Sequence, residues 1–162
     1  LNPDTHAQDT PRPPSQITAR WIIGLIGAWV LLRLVDVGLR VSGYRAVCRV
    51  LLATSPQPDD QRRDDDRARA YGRLVNRAGR SFSRSICLRR SLVTWWLLRW
   101  NRLPAVIHIA VRPNDSLVSH SWVEHHGVVV NDVPHVAQIY PLSFTDMVDP
   151  ARVVTLPRTG TH

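Results

Sequence analysis

Cys87, at the start of a predicted helix, is the residue whose surroundings best suit nucleophilic chemistry. Serines at positions 81, 83 and 85 offer N-cap hydroxyls before an amphipathic run that ends at Trp100. Free N–H groups of a first helical turn, with a nearby histidine, lower the pKa of a thiol from about 8.5 and favour the thiolate. The same N–H groups can hold the oxyanion of a tetrahedral intermediate. The predicted chemistry is attack by a thiolate on a carbonyl carbon.

His120 and Asp132 could complete such a site, because they flank a predicted hairpin turn. A three-residue loop over positions 125–127, with Gly127 in the left-handed conformation, places His120 directly opposite Asp132. Directly opposite residues have Cβ atoms about 4.5 to 5.5 Å apart, so the carboxylate could orient the imidazole towards the thiol. A two-residue loop would instead place Val133 opposite His120. Both registers are open at this point.

Helices are predicted in the first part of the chain and strands in the second. The apolar spacing predicts helices over residues 18–40, 44–53 and 86–100, and another that starts within 59–66 and ends near Gly79. Short apolar runs predict strands over 105–111, 117–124, 128–132 and 136–140. The predicted fold class is therefore α+β, with a small antiparallel sheet after the helices.

One domain is expected, since 162 residues suit a single core. The proline-rich residues 1–16 predict a disordered N-terminal segment, and 17–162 the domain, with a helical subregion 17–80, a catalytic core 81–142 and a C-terminal tail 143–162. The apolar run 21–32 is shorter than the roughly 20 residues that a bilayer requires. It predicts a buried or surface-lying helix.

The charge is strongly basic, with a net charge of +8 and no lysine among the 21 basic residues. This favours anionic partners without specifying a site. We expect no nucleic acid as a partner. In the helix predicted to end near Gly79, the arginines surround an apolar stripe, so they are expected to form the solvated face of that helix. Cys48 and Cys87 are the only cysteines, which favours a reducing, cytoplasmic location, and Cys48 is expected in the core. No cofactor and no metal are expected.

A set of motifs between residues 77 and 142 resembles those of a known family. The motifs are Cys87-Leu-Arg-Arg-Ser-Leu, residues 101–106 (NRLPAV), Val111-Arg112, His120-Ser-Trp-Val-Glu and Asn131-Asp132. In order and spacing they resemble the leader peptidases of lasso-peptide biosynthesis, which are transglutaminase-like cysteine proteases. Ser119 and Ser121 stand where the family would have alanine. Arg89 and Arg90, beside the nucleophile, are expected on an exposed face.

The resemblance implies a transglutaminase/papain-like core in which Cys87 is the nucleophile, His120 the base and Asp132 the residue that orients the base. It implies removal of the leader from a ribosomally made lasso precursor, which frees the core α-amine for macrolactam closure by a separate cyclase. The implied partners are the precursor leader peptide and a separate winged-helix recognition protein. The cyclase is a further candidate partner.

Three other interpretations stay open. A transglutaminase-like acyltransferase would use the same thioester and pass the acyl group to an amine. A non-catalytic metal-binding or partner-binding module would use Cys87 with five histidines, His108, His120, His125, His126 and His135. Peripheral membrane contact would require the helix over residues 21–40 to be exposed, and it could coexist with peptidase activity.

Overall fold

The computed structural model describes residues 14–82, 87–112, 118–140 and 143–145, and its architecture is α+β, as predicted. The four long helices are α1 (Pro14–Val41), α2 (Gly43–Thr54), α3 (Asp65–Ala78) and α4 (Cys87–Trp100). A 3₁₀ turn, Gly79–Ser81, follows α3. The helices agree with the prediction except at their ends. The boundary expected at residue 16 falls inside α1, while residues 1–13 lie outside the described part.

The sheet has four antiparallel strands, β1 (Val106–Arg112), β2 (Val118–His125), β3 (Val128–Val129) and β4 (Ser143–Thr145), in the order β3-β2-β1-β4. The first two strands agree with the prediction. The expectation of a C-terminal tail from residue 143 onward does not hold for residues 143–145, because they form β4 and pair with β1. Residues 146–162 of that tail lie outside the described part.

The fourth predicted strand, over 136–140, is wrong, because Val136–Ile139 form a short helix, α5. Pro134 has no N–H to give to a ladder, and the Val136 N–H closes a turn by donating to the Val133 carbonyl at 3.1 Å. A run of five residues, four of them apolar, does not distinguish a strand from a helical turn. In this segment, the turn closed by the Val136 N–H favours the helix.

The hairpin between β2 and β3 has the two-residue loop, so the three-residue register is wrong. His126 and Gly127 both have positive φ, 47° and 76°, the combination that a tight type I′ turn requires. His125 consequently pairs with Val128, and Glu124 with Val129. β3 then ends after two residues, where the sequence predicts five.

The core lies between the helices and one face of the sheet. Leu92, Trp95 and Leu98 of α4 are buried, and the Trp95 indole N–H donates to the Ala105 carbonyl at 3.0 Å. From the sheet, Ile107 and Val123 join this core. Cys48 is buried, as predicted. Helix α4, which begins at the predicted nucleophile Cys87, is therefore fixed along its length by apolar packing.

Helix α1 packs on α2, α3 and α4 through one side only. Ala28, Leu32 and Val35 on that side are buried. By length and composition alone, Trp21–Val41 could cross a membrane, because the helix continues unbroken past the charged residues that end the first apolar run. Counting only residues 21–32 therefore underestimated the length of this apolar segment. Only 22% of the most apolar stretch is buried.

Candidate active site

Cys87 is the first residue of α4, as predicted, and its side chain is half-buried. The expected serine caps at positions 83 and 85 lie outside the described residues. Ser81 is not a cap of α4, because its hydroxyl donates to the Ala78 carbonyl and accepts from the Trp29 indole at 3.2 Å. The thiol thus lies where first-turn N–H groups can stabilise negative charge.

His120, from β2, and Asp132, from the segment after β3, are in direct contact. The imidazole Nε2 lies 2.5 Å from Asp132 Oδ2, and both side chains are about three-quarters buried. The imidazole stacks on Tyr140, with ring centroids 5.0 Å apart. A carboxylate on Nε2 leaves Nδ1 for the thiol, which is hydrogen-bonded to His120. The structure brings all three predicted site residues together.

The charges in this cluster support one another. The hydrogen bond that the imidazolium donates to Asp132, and then the one that it donates to Cys87, raise the pKa of His120 from 6.5 to about 9. The His120 hydrogen bond lowers the pKa of the Cys87 thiol against the opposing effect of burial, with help from the Ser121 hydroxyl and the Leu88 backbone N–H. Both shifts favour the form of the pair in which a thiolate faces an imidazolium.

Asn131 holds together the three elements that carry these side chains, a role that its place in the Asn131-Asp132 motif does not by itself predict. Its Oδ1 accepts from the backbone N–H of Val123 in β2 at 2.8 Å, and its Nδ2 donates to the hydroxyl of Ser91 in α4 at 3.1 Å. Both Asn131 and Ser91 are buried. Since Asn131 directly precedes Asp132, one amide fixes the carboxylate against both the histidine strand and the nucleophile helix.

Helix α3 holds the same segment from the other side. Gly72 lies so close to it that a Cβ there would be 1.9 Å from the Val130 carbonyl oxygen. One turn further on, the Asn76 side chain donates to the Asn131 carbonyl at 2.8 Å. The tight approach explains why this position has no side chain. The sequence shows only a glycine within a helix, which by itself indicates no contact.

A cleft of about 280 Å³ opens at the triad, and it is lined by Asn76, Cys87, Arg90, His120, Ser121, Asn131 and Asp132. The expectation that both arginines lie on an exposed face is wrong. Arg89 is largely buried and pairs with the buried Asp36 of α1 at 3.0 Å, which ties α4 to α1. Arg90 lines the cleft. Burial raises the pKa of Asp132, but the His120 hydrogen bond and smaller effects, the charge of Arg90 among them, lower it overall.

Comparison with known protein families places the chain in one of them. The family model of the transglutaminase-like superfamily matches residues 31–144, which include most of the chain and the whole triad. The chain belongs to the transglutaminase-like superfamily. This family includes cysteine peptidases and acyltransferases, so an activity of one of these types is indicated. No curated protein and no solved structure matches the chain.

The outer face of the transglutaminase-like sheet supports His120 from behind. Trp122, two residues along β2, is fully buried, and its indole donates to Glu124 Oε1 at 3.0 Å. His108 stacks on Trp122 with ring centroids 5.0 Å apart, and its Nε2 lies 3.1 Å from Glu124 Oε2. This cluster fills the space beside the His120 imidazole, whose ring centroid lies 6.4 Å from that of Trp122.

Among the histidines of the metal-binding interpretation, the rings of His125 and His126 are adjacent, with centroids 4.6 Å apart, but each ring is held by other contacts. The His125 imidazole is buried between the Pro104 carbonyl and the Asp64 backbone N–H. His126 lies 3.1 Å from the Arg62 carbonyl, on the exposed side of the turn. Among the described residues, no group of three or more His, Cys, Asp or Glu side chains is placed to hold a metal ion.

Proposed function

We propose that this chain is a cysteine peptidase that removes the leader from a ribosomally made lasso precursor peptide. The observation that carries the proposal is the contact of Cys87, His120 and Asp132 at the first turn of a helix, in a transglutaminase-like domain. The motif resemblance around these residues supports the leader as substrate. In this role Cys87 is the nucleophile, His120 the acid and base, and Asp132 the orienting carboxylate.

In the acylation step, the Cys87 thiolate attacks the carbonyl carbon of the last leader residue and forms a C–S bond. The oxyanion that develops would be held by backbone N–H groups at the start of α4, one of which, that of Leu88, already hydrogen-bonds the thiolate. The C–N bond then breaks, and the His120 imidazolium gives its proton to the departing α-amine of the core peptide. A leader thioester remains on the enzyme.

In the deacylation step, the now neutral His120 takes a proton from water, and the hydroxide attacks the thioester carbonyl. The C–S bond breaks, the leader leaves as a carboxylic acid, and the thiolate and imidazolium are restored. Asp132 keeps the imidazole in one orientation through both steps, because its Oδ2 contacts Nε2. The freed core amine is the group that a separate cyclase would use to close the macrolactam.

The partners in this proposal are the leader peptide, a separate winged-helix recognition protein that presents it, and the cyclase that receives the product. The motif resemblance is what supports these partners. We place the reaction in the cytoplasm, where the thiol would stay reduced.

The test is cleavage of the cognate precursor, followed by mass spectrometry, with the winged-helix protein added. Cys87→Ala and His120→Ala should abolish cleavage, and Asp132→Ala should reduce it strongly. Matched controls are Cys48→Ala, at the other cysteine, His135→Ala, at an exposed histidine, and Asp66→Ala, at an exposed aspartate. The controls should cleave at the wild-type rate.

Full cleavage by Cys87→Ala would refute the proposal. To test the acyltransferase reaction, a primary amine is added in excess while the acyl-enzyme is being hydrolysed. A leader product carrying the mass of the amine, at the expense of the free acid, would show that the acceptor is an amine and would replace the hydrolase assignment. A product that is the free acid alone supports the peptidase.

A further inference from the structure

The outward side of α1 is apolar and has no protein cover among the described residues. Large apolar side chains are exposed along its length, including Ile23 at 69% and Val41 at 79%. The outer face comprises Ile22, Ile23, Ile26, Val30, Val37 and Val41. Exposed apolar surface on this scale marks a contact with a partner or a membrane.

The charges around the outer face are almost all positive. Asp36 is the only acidic residue in α1 and α2, and it is buried and paired with Arg89 and Arg40. Where the structure describes arginine side chains in these two helices, all four are exposed, namely Arg33, Arg40, Arg45 and Arg49. The two helices therefore present apolar side chains next to guanidinium groups, without an exposed carboxylate. This is the complement of an anionic lipid surface, where phosphates lie above acyl chains.

An apolar groove adjoins the outer face, between α1 and α2. It has a volume of about 310 Å³, and Leu34, Val50 and Trp96 are among the residues that line it. The groove lies on the two-helix side of the molecule and shares no residue with the triad cleft. It extends the apolar surface from one helix to two without involving the catalytic residues.

The inward side of α1 decides how the helix could meet a bilayer. Leu32 and Val35 belong to the core, and Asp36 is held by Arg89 of α4. Spanning the membrane would withdraw these side chains from the domain and separate a buried ion pair. Lying along the interface leaves all of these contacts in place and buries only the outer face.

We infer that this protein docks on anionic membrane surfaces through the outer face of α1, with the arginines of α1 and α2 on the headgroups. The helix would lie in the plane of the interface while the domain stays in water. This surface shares no residue with the triad, so membrane binding can be tested separately from the proposed peptidase activity.

The experiment is co-sedimentation of the full chain with vesicles of phosphatidylcholine, with or without phosphatidylglycerol. Wild type should bind the vesicles that contain phosphatidylglycerol, less at high salt, and bind pure phosphatidylcholine weakly. The triple variant Ile23→Glu, Val30→Glu, Val37→Glu should bind at least about tenfold more weakly, because three inserted side chains are lost. A control variant with the same change in charge at exposed positions elsewhere is Gln61→Glu, Ala70→Glu, Gln138→Glu.

The control should keep most of the binding, because it leaves the outer face intact. Should the glutamate variant fail to fold, the milder Ile23→Ala, Val30→Ala, Val37→Ala keeps helix propensity and should still weaken binding. Wild type that ignores anionic vesicles, or a control that loses as much as the face variant, would overturn the inference. So would a wild-type dimer that the face variant converts to a monomer, since a second copy would then cover the face.

Discussion

Replacing Asp132 by asparagine tests the electrostatics of the triad without any knowledge of the substrate. The rise in the pKa of His120 from 6.5 to about 9 has the Asp132 hydrogen bond as its largest cause. A rise of that size corresponds to about 3.4 kcal/mol of stabilisation of the imidazolium. If Asp132 supplies more than half, its removal costs about 2 kcal/mol, or roughly a 30-fold change in the protonation equilibrium.

The change should be visible in the reactivity of Cys87. The imidazolium stabilises the thiolate, so a less stable imidazolium raises the pKa of the thiol. The folded-state pKa of Cys87 is lowered, so the thiolate persists below the ordinary thiol range and is lost only as the pH falls through that lowered value. In Asp132→Asn, less of Cys87 should be thiolate at a given pH, so the midpoint of this loss should move upward.

The assay is the rate of alkylation by iodoacetamide as a function of pH, with the labelled residue identified by mass spectrometry. Cys48 serves as an internal control, because it is buried and its pKa is raised by burial, so it should stay unlabelled in the folded protein. Asp66→Asn, at an exposed aspartate, should leave the profile unchanged. An identical midpoint in wild type and Asp132→Asn would refute the electrostatic coupling.

Three further predictions use the same site. The cleavage rate should fall at low pH as the Cys87 thiolate is protonated, and again above about 9 as His120 loses the proton that the leaving amine needs; a rate that does not depend on pH would contradict this. Asn131→Ala should lower the free energy of unfolding, measured by urea denaturation, by about 1 to 3 kcal/mol. It should also lower the cleavage rate by more than this loss of stability explains. Gly72→Ala should lower the same free energy of unfolding, since its Cβ would overlap the Val130 carbonyl, and an unchanged value would contradict the close approach.

The helices could be predicted from the sequence because each has several turns of periodic apolar residues. The short elements could not. β3 has two residues and α5 has four, and at that length a propensity is outweighed by one turn or one tertiary contact. β4 was missed for a different reason, because its pairing partner, β1, lies more than 30 residues earlier in the chain. Nothing in three residues indicates such a partner.

The candidate site could be predicted as a set of residues because nucleophilic chemistry limits the residue types. Their support could not be predicted. Ser91 and Gly72 are ordinary helix residues in the sequence, and their importance comes from contacts across the fold. Arg89 was expected to be solvated for the same reason, since only the structure shows Asp36 buried beside it. Residue type alone does not show which polar groups a core will enclose.

The contact between His120 and Asp132 was expected for a reason that the structure corrects. In the observed two-residue register, a continued ladder would place Asp132 opposite Ser121, with its side chain on the wrong face for His120. In a continued strand, the Val123 N–H would donate to the Val130 carbonyl. Here it donates to the Asn131 side chain instead, so the ladder stops. The chain then bends, and the carboxylate reaches the imidazole. Asn131 thus lets Asp132 reach His120 in a register that would otherwise keep the two apart. This is why Asn131→Ala should lower the cleavage rate by more than the loss of stability explains.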